Sequence, residues 1–184
     1  MNCICCNQIS NIKYNELDWC LICYNLTINK MNEYENAHKS IPTYPIHILN
    51  NLYIGDINSS IDENILSELN IGAIVVAGKN LQKKSFSNIN YLQLEIDDSL
   101  EQNIKEYFSS TNNFIKKYLT TSSVLIYCYS GISRSASIII AYLIIINNMN
   151  YDDAYNFVKS KSNKIYPNSN FENQLRSILL NSIQ

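Results

Sequence analysis

"SVLIYCYSGISRSASIIIAYLIIINN", residues 123–148, sets an apolar run, one cysteine and a short polar loop directly before a second apolar run. Val124 to Cys128 is short and apolar throughout, as in a strand covered on both faces. Residues from about 133 to 147 read as a buried helix, since Ile138 to Ile146 is far too short to span a bilayer. Between them, Tyr129-Ser130-Gly131-Ile132-Ser133 joins the C-terminal end of a strand to the N-terminus of a helix. In open α/β sheets that is where ligands bind. Successive backbone N–H groups there can converge on one anion, and the helix dipole adds positive potential. Gly131 permits the tight curvature, and Arg134 offers a planar fork that matches two phosphate oxygens. Cys128 enters the same field from the strand end, where a thiolate is stabilised. The pattern predicts a sulfur nucleophile beneath a bound phosphate, with the Ser135 hydroxyl placed to steady the sulfur as it leaves.

The rest of the composition bounds what surrounds this loop. At 184 residues the chain can bury one good core with a small appendage. A hydrophobic share of 46% and a charged share of 16% describe an ordinary globular protein rather than a disordered one. The formal charge of −2 gives no general attraction to nucleic acid or to an anionic membrane, so any anion site must be built locally. Residues 1–42 lack glycine and carry five of the six cysteines, with no positively charged lead before an apolar segment. A reducing, cytoplasmic setting is therefore expected.

Pro42 and Pro45 mark a boundary between a cysteine-rich extension, 1–42, and a catalytic domain, 43–184. In the second part "IHILNNLYIG" (46–55) reads as two strands around an Asn-Asn turn. Asp62 caps a helix to Leu69 with Gly72 as its stop, and "AIVVA" (73–77) and "YLQLEI" (91–96) are strands. A helix follows from near Leu100 to Leu119. Helices of about 151–160, capped by Tyr151-Asp152-Asp153, and about 168–182 close the chain. Strands alternating with helices predict an α/β domain with a central, mostly parallel sheet of about five strands flanked by helices.

"CYSGISRS" (128–135) resembles the Cys-x5-Arg-Ser/Thr signature of the protein tyrosine phosphatase superfamily, and its Gly-x-Ser-Arg-Ser ending most resembles the dual-specificity phosphatases. "PIHILNNLYIGDINSS" (45–60), "AYLIIINNMNYDDAYNFVKSK" (141–161) and "PNSNFENQL" (167–175) resemble other parts of that family, so that about residues 43–182 are covered. The resemblance implies a phosphatase that needs no cofactor and acts on phosphotyrosine and on phosphoserine or phosphothreonine of a protein substrate. Cys128 would attack, Arg134 and the amides of residues 129–133 would hold the equatorial oxygens, and a shallow site would admit all three esters. One departure stands out: Tyr127 occupies the position where the family usually has histidine. The phosphoinositide branch often carries lysines inside the loop, and this loop has none, which disfavours a highly charged lipid headgroup.

Cleavage of a phosphate monoester also needs an acid for the leaving oxygen. Asp97 and Asp98 follow the strand "YLQLEI", where the family places that acid, and matching "YLQLEIDDSLEQNI" to the following helix assigns it to Asp98. The competing reading is that both aspartates merely cap a helix beginning near Leu100. Two other functions fit parts of the sequence. A phosphoprotein-binding module with weak or no turnover would explain Tyr127, and a cysteine–histidine hydrolase would pair Cys128 with His38 or His47. The lysines at 83–84, 116–117, 159, 161 and 164 read as solvated faces.

Within the extension, Cys3-x2-Cys6 and Cys20-x2-Cys23 match a paired-knuckle Cys₄ zinc site, with Cys5 as a fifth candidate. Such a metal would be structural, folding a segment too small for its own core.

Overall fold

The computed structural model describes residues 43–81 and 84–178, together with two short strands near the N-terminus. The chain divides into two units, Met1–Ile41 and Pro42–Gln184. In the first, β1 (Ile12–Tyr14) and β2 (Leu17–Trp19) form an antiparallel hairpin that pairs Ile12 with Trp19 and Tyr14 with Leu17. Cys3, Cys6, Cys20 and Cys23 lie outside the described residues.

In the second unit five strands run in the order β3-β4-β7-β5-β6. β3 (Ile46–Leu49) and β4 (Leu52–Gly55) are antiparallel, turning through Asn50 at φ 48°. β5 (Ile71–Ala77), β6 (Asn90–Leu94) and β7 (Ser123–Tyr127) are parallel, with β7 central between β4 and β5. Among the described residues the α-helices are α1 (Glu63–Glu68), α2 (Phe108–Leu119), α3 (Arg134–Asn147), α4 (Tyr151–Lys161) and α5 (Ser169–Arg176).

All five residues of β7 are buried, which explains its unbroken apolar sequence. Strand alternation then divides its side chains between two cores. Val124, Ile126 and Cys128 join Ala73, Val75 and Ala77 in the larger core, beneath Ile115 of α2, Ile139 and Ile140 of α3, Val158 of α4 and Phe171 of α5. Leu125 and Tyr127 face the other way, with Ile74 and Val76, against Leu66 of α1 and Phe86. α3 is buried over most of its circumference from Ser135 to Ile144, as a helix running beneath other helices must be.

Four boundaries differ from the sequence expectations. Asn70, at φ 52°, makes the turn after α1, while Gly72 lies inside β5, where a Cβ would come within 2.5 Å of Ser122 Oγ. No helix begins near Leu100: a 3₁₀ turn at Lys105–Tyr107 leads directly into α2. Side chains of α5 hold residues 99–104 as a loop. Asn170 Nδ2 and Gln174 Nε2 both donate to Gln102 O at 2.8 Å, and Gln174 Oε1 accepts from the Ile104 N–H at 2.9 Å. Asn150, rather than the three residues after it, caps α4 by accepting from the Asp153 N–H. α5 ends at Arg176 and not near 182.

Asp56 locks the turn that follows β4. Its Oδ1 accepts from the N–H groups of Asn58 and Ser59 at 3.0 and 3.1 Å and from the Thr43 hydroxyl at 2.6 Å, while Lys164 Nζ stands 3.4 Å from Oδ2. Burial pushes this carboxyl up, but the Thr43 hydroxyl, Lys164 and Ser59 outweigh it and hold it below its ordinary value of 3.8. A carboxylate with a depressed value stabilises the fold above its unfolded value and loses that contribution as pH falls. Asp56→Ala should therefore cost about 1–2 kcal/mol at pH 7. In urea melts the difference from the wild type should narrow as pH falls below 3.8.

Candidate active site

The loop Tyr129–Ser133 leaves the C-terminal end of β7 and feeds α3, and neighbouring segments fasten its oxygens. Tyr129 O accepts from the Ile57 N–H at 3.3 Å, and Ile132 O accepts from the Tyr166 N–H at 2.9 Å. Ser133 Oγ accepts from the Asn168 N–H at 3.2 Å. Among the described residues no acceptor engages the N–H groups of residues 129–133. With carbonyls tied outward and amides unclaimed, the loop has the form of an anion nest at a helix N-terminus.

Gly131 is at φ +70°, where a side chain is strained, and a Cβ there would stand 2.8 Å from Gly55 O. The backbone of β4 thus packs directly on the loop, which leaves room only for glycine.

Cys128 is fully buried at the loop's root, and its sulfur lies 3.2 Å from the Ser135 hydroxyl. Arg134 extends along the neighbouring segment, with Nη1 3.4 Å from Ile96 O and Nε 3.6 Å from Asp98 Oδ2. Gly78 gives the guanidinium space: a Cβ there would be 2.8 Å from Nη1.

The two aspartates separate cleanly. Asp97 faces solvent and pairs at 3.6 Å with Lys79, both side chains being more than half exposed. Asp98 turns onto the loop, where its Oδ1 accepts from Ser133 Oγ at 2.7 Å and from Asn168 Nδ2 at 2.8 Å. The absence of a helix near Leu100 removes the capping alternative for both. Cys128, Arg134, Ser135 and Asp98 are therefore brought together, with Tyr129, Ser130, Gly131, Ile132 and Ser133 as the loop between them. His47 is engaged elsewhere, hydrogen-bonded to Asn50 O and packed edge-on to Tyr53 at 5.2 Å, while His38 lies outside the described residues.

Tyr127 cannot act on the sulfur directly, because alternation sends its ring to the opposite face of the sheet. Burial pushes its phenol up, opposed by the neighbouring Ser60 side chain, and its hydroxyl has no hydrogen-bond partner of good geometry. β7 packs there against the Ile57–Ser60 turn, whose first N–H holds Tyr129 O. The side chain of residue 127 thus bears on the loop through the packing of this turn.

A family model described as the catalytic domain of dual specificity phosphatases matches residues 52–179. The chain belongs to this family. Human dual specificity protein phosphatase 7 is 35% identical over 139 residues, which are 74% of this chain and 33% of that protein. The chain spans about a third of the length of the curated relatives it matches first. Among solved structures, human tyrosine phosphatase-like serine/threonine/tyrosine-interacting protein is 31% identical with a TM-score of 0.70, covering 72% of this chain and 93% of that one. Human DUSP28 shares the fold at a TM-score of 0.70 and 20% identity, over 74% of this chain and 93% of its own.

Three supporting residues escaped the sequence reading. Asn168 caps α5 through its side-chain oxygen, which accepts from the Phe171 N–H at 2.9 Å, and spends its amide on Asp98. Its signal was the cap position of the closing helix, but nothing local shows that the helix meets residue 98. Lys164 is solvated as read, but it also stands beside the loop, 3.1 Å from where a Gly131 Cβ would lie. Gly78 carried no motif at all.

Replacing Gly131 by alanine tests the packing of β4 on the loop. Gly131→Ala should lower kcat/KM on a small aryl phosphate by about 10²-fold or more, the size expected when reacting groups are displaced by about 1 Å. Circular dichroism should show the secondary structure retained.

Proposed function

We propose that this chain is a protein phosphatase that hydrolyses phosphotyrosine together with phosphoserine and phosphothreonine through a cysteinyl-phosphate intermediate. The observation that carries this reading is the convergence of Cys128, Arg134 and Asp98 on one loop whose amides are unclaimed. Membership of the family and the 35% identity to dual specificity protein phosphatase 7 support it. The substrate is a phosphorylated protein, and the setting is a reducing one, cytoplasmic, that keeps the Cys128 thiol from oxidation. Among the described residues no helix is long and apolar enough to cross a membrane.

In this mechanism the phosphate dianion replaces the Asp98 carboxylate as the partner of the Arg134 guanidinium, and the loop amides take the remaining equatorial oxygens. The Cys128 thiolate attacks phosphorus in line. As the S–P bond forms, the P–O bond to the side-chain oxygen breaks, and that oxygen takes its proton from the protonated Asp98. Asp98, now a carboxylate, accepts a proton from water, which attacks the same phosphorus. The sulfur then leaves as thiolate, with the Ser135 hydroxyl donating to it, and inorganic phosphate is released. Positioning and charge supply most of the acceleration, as in phosphoryl transfer generally.

Hydrolysis of a small aryl phosphate, inhibited by vanadate, tests the reading as a whole. Cys128→Ser should abolish turnover while leaving ester binding largely intact, and Arg134→Ala should weaken both. Asp98→Asn should lower kcat by about 10²–10⁴. Near-normal turnover in Cys128→Ser would rule out the covalent route.

The extension is proposed to hold one structural zinc through Cys3, Cys6, Cys20 and Cys23. The hairpin supports this, since the Ile12–Trp19 pairing folds the segment between the two cysteine pairs back on itself. Metal analysis of the reduced full chain should find about one zinc per chain, lost on deletion of residues 1–30. Metal-free protein made with zinc available would exclude the site.

A further inference from the structure

The charges around the mouth of the loop are already answered. Lys79 pairs with Asp97 at 3.6 Å, Lys164 with Asp56 at 3.4 Å, and Arg134 with Asp98 at 3.6 Å. Among the described residues the cations nearest the loop are thus paired with carboxylates, and Lys159, farther out, is turned onto a backbone carbonyl, Ile165 O, at 2.7 Å.

Large apolar side chains, by contrast, stand in solvent around the same mouth. Six are exposed among the described residues: Tyr44, Leu100, Tyr129, Ile132, Ile145 and Tyr166. Four of these six belong to the loop or to segments fastened to it. Tyr129 (65% exposed) and Ile132 (36%) are loop residues. Tyr166 (71%) is held by its own N–H on Ile132 O. Leu100 (63%) lies two residues beyond Asp98, on a segment whose Ser99 O accepts from the amides of Asn168 and Asn170 at 3.5 Å. Single exposed apolar side chains are ordinary, but a cluster on anchored backbone around one site is not. Behind Tyr166 the surface opens into a cavity of about 280 Å³, walled in part by Tyr151, Tyr155 and Pro167. The Arg176 guanidinium there binds both Asp152 and Glu172, so the cavity sets aromatic rings beside a net negative charge that would repel an acidic flank.

We propose that this rim is a docking surface for apolar and aromatic side chains flanking the phosphorylated residue of the protein substrate, so that the chain selects phosphosites in apolar surroundings over acidic ones. The inference rests on the phosphatase reading above for the nature of the ligand. Apolar flanks would gain by covering Leu100 and Tyr166, whereas acidic flanks would compete with Asp97, Asp56 and Asp98 for the cations nearest the loop and meet the carboxylates of Asp152 and Glu172 at the cavity.

Binding of phosphopeptides to full-length Cys128→Ser, which needs no turnover, separates this inference from the catalytic one. Three phosphotyrosine peptides of equal length would be compared by calorimetry, flanked by Leu and Phe, by Ala and Ser, or by Glu and Asp. The apolar-flanked peptide should bind about 10-fold more tightly than the acidic one, equivalent to about two buried methylenes. Leu100→Ser and Tyr166→Ser, both on exposed side chains, should each erase much of that ratio. In the catalytically intact protein the same two substitutions should leave kcat on a small aryl phosphate unchanged. Equal affinities, or preference for the acidic peptide, would overturn the inference even if the aryl phosphate is hydrolysed. So would sedimentation with neutral phosphatidylcholine vesicles combined with no discrimination among the peptides, which would make the rim a membrane contact. Failure of the wild type to hydrolyse any ester, with the peptide ratio present, would sink the catalytic reading and leave the docking surface standing.

Discussion

Everything at the site depends on where β7 stops. The strand is hydrogen-bonded on both sides, to β4 and to β5, and buried on both faces, so neither its register nor its end can slide. A slip of one residue would exchange Cys128 and Tyr127 between the two cores. It would also carry the sulfur away from the loop amides. The position of one thiol is therefore set by packing that involves most of the domain, and the chemistry of residues 128–135 is local only in appearance.

The loop itself is held from three directions. The turn after β4 takes Tyr129 O, the segment leading to α5 takes Ile132 O and Ser133 Oγ, and Gly55 presses on Gly131 from below. Two of these braces meet again through the Asp56–Lys164 pair, which ties the turn after β4 to the residues before α5. Asn168 extends the same bracing to Asp98, so that the acid and the phosphate cradle are referenced to one another rather than to separate parts of the fold. Ser133 and Asn168 keep the Asp98 carboxyl beside the cradle even when phosphate takes its place on Arg134, so the acid stays in position for the leaving oxygen.

Much of this was legible in the sequence, for identifiable reasons. The unbroken apolar run into Cys128, the glycine and the arginine of the loop each have few physical alternatives, and the parallel sheet follows from strands buried on both faces. What could not be read was supplied by contacts between residues 33 to 72 positions apart. The segment after Asp98 looks helical by composition, yet Asn170 and Gln174 hold it as a loop. Asn168 looks like a cap and is also the partner of an acid. Lys164 looks like any surface lysine until the fold lays it against Gly131. In each case the decisive partner is remote in sequence, and local propensity carries no trace of it.

The chain has only four glycines, yet it makes its tight left-handed turns. Asn50, Asn70, Asn80 and Asn148 all take positive φ, at 48° to 55°, in places where glycine would be the usual choice. A glycine at each position would fit the folded turn more easily, but it would also widen the range of shapes open to the unfolded chain. Asparagine keeps that range narrower and bears a small steric cost in the native turn instead. In this protein the high asparagine content thus moves part of the expense of making corners from the entropy of the denatured ensemble to the local energy of the folded one.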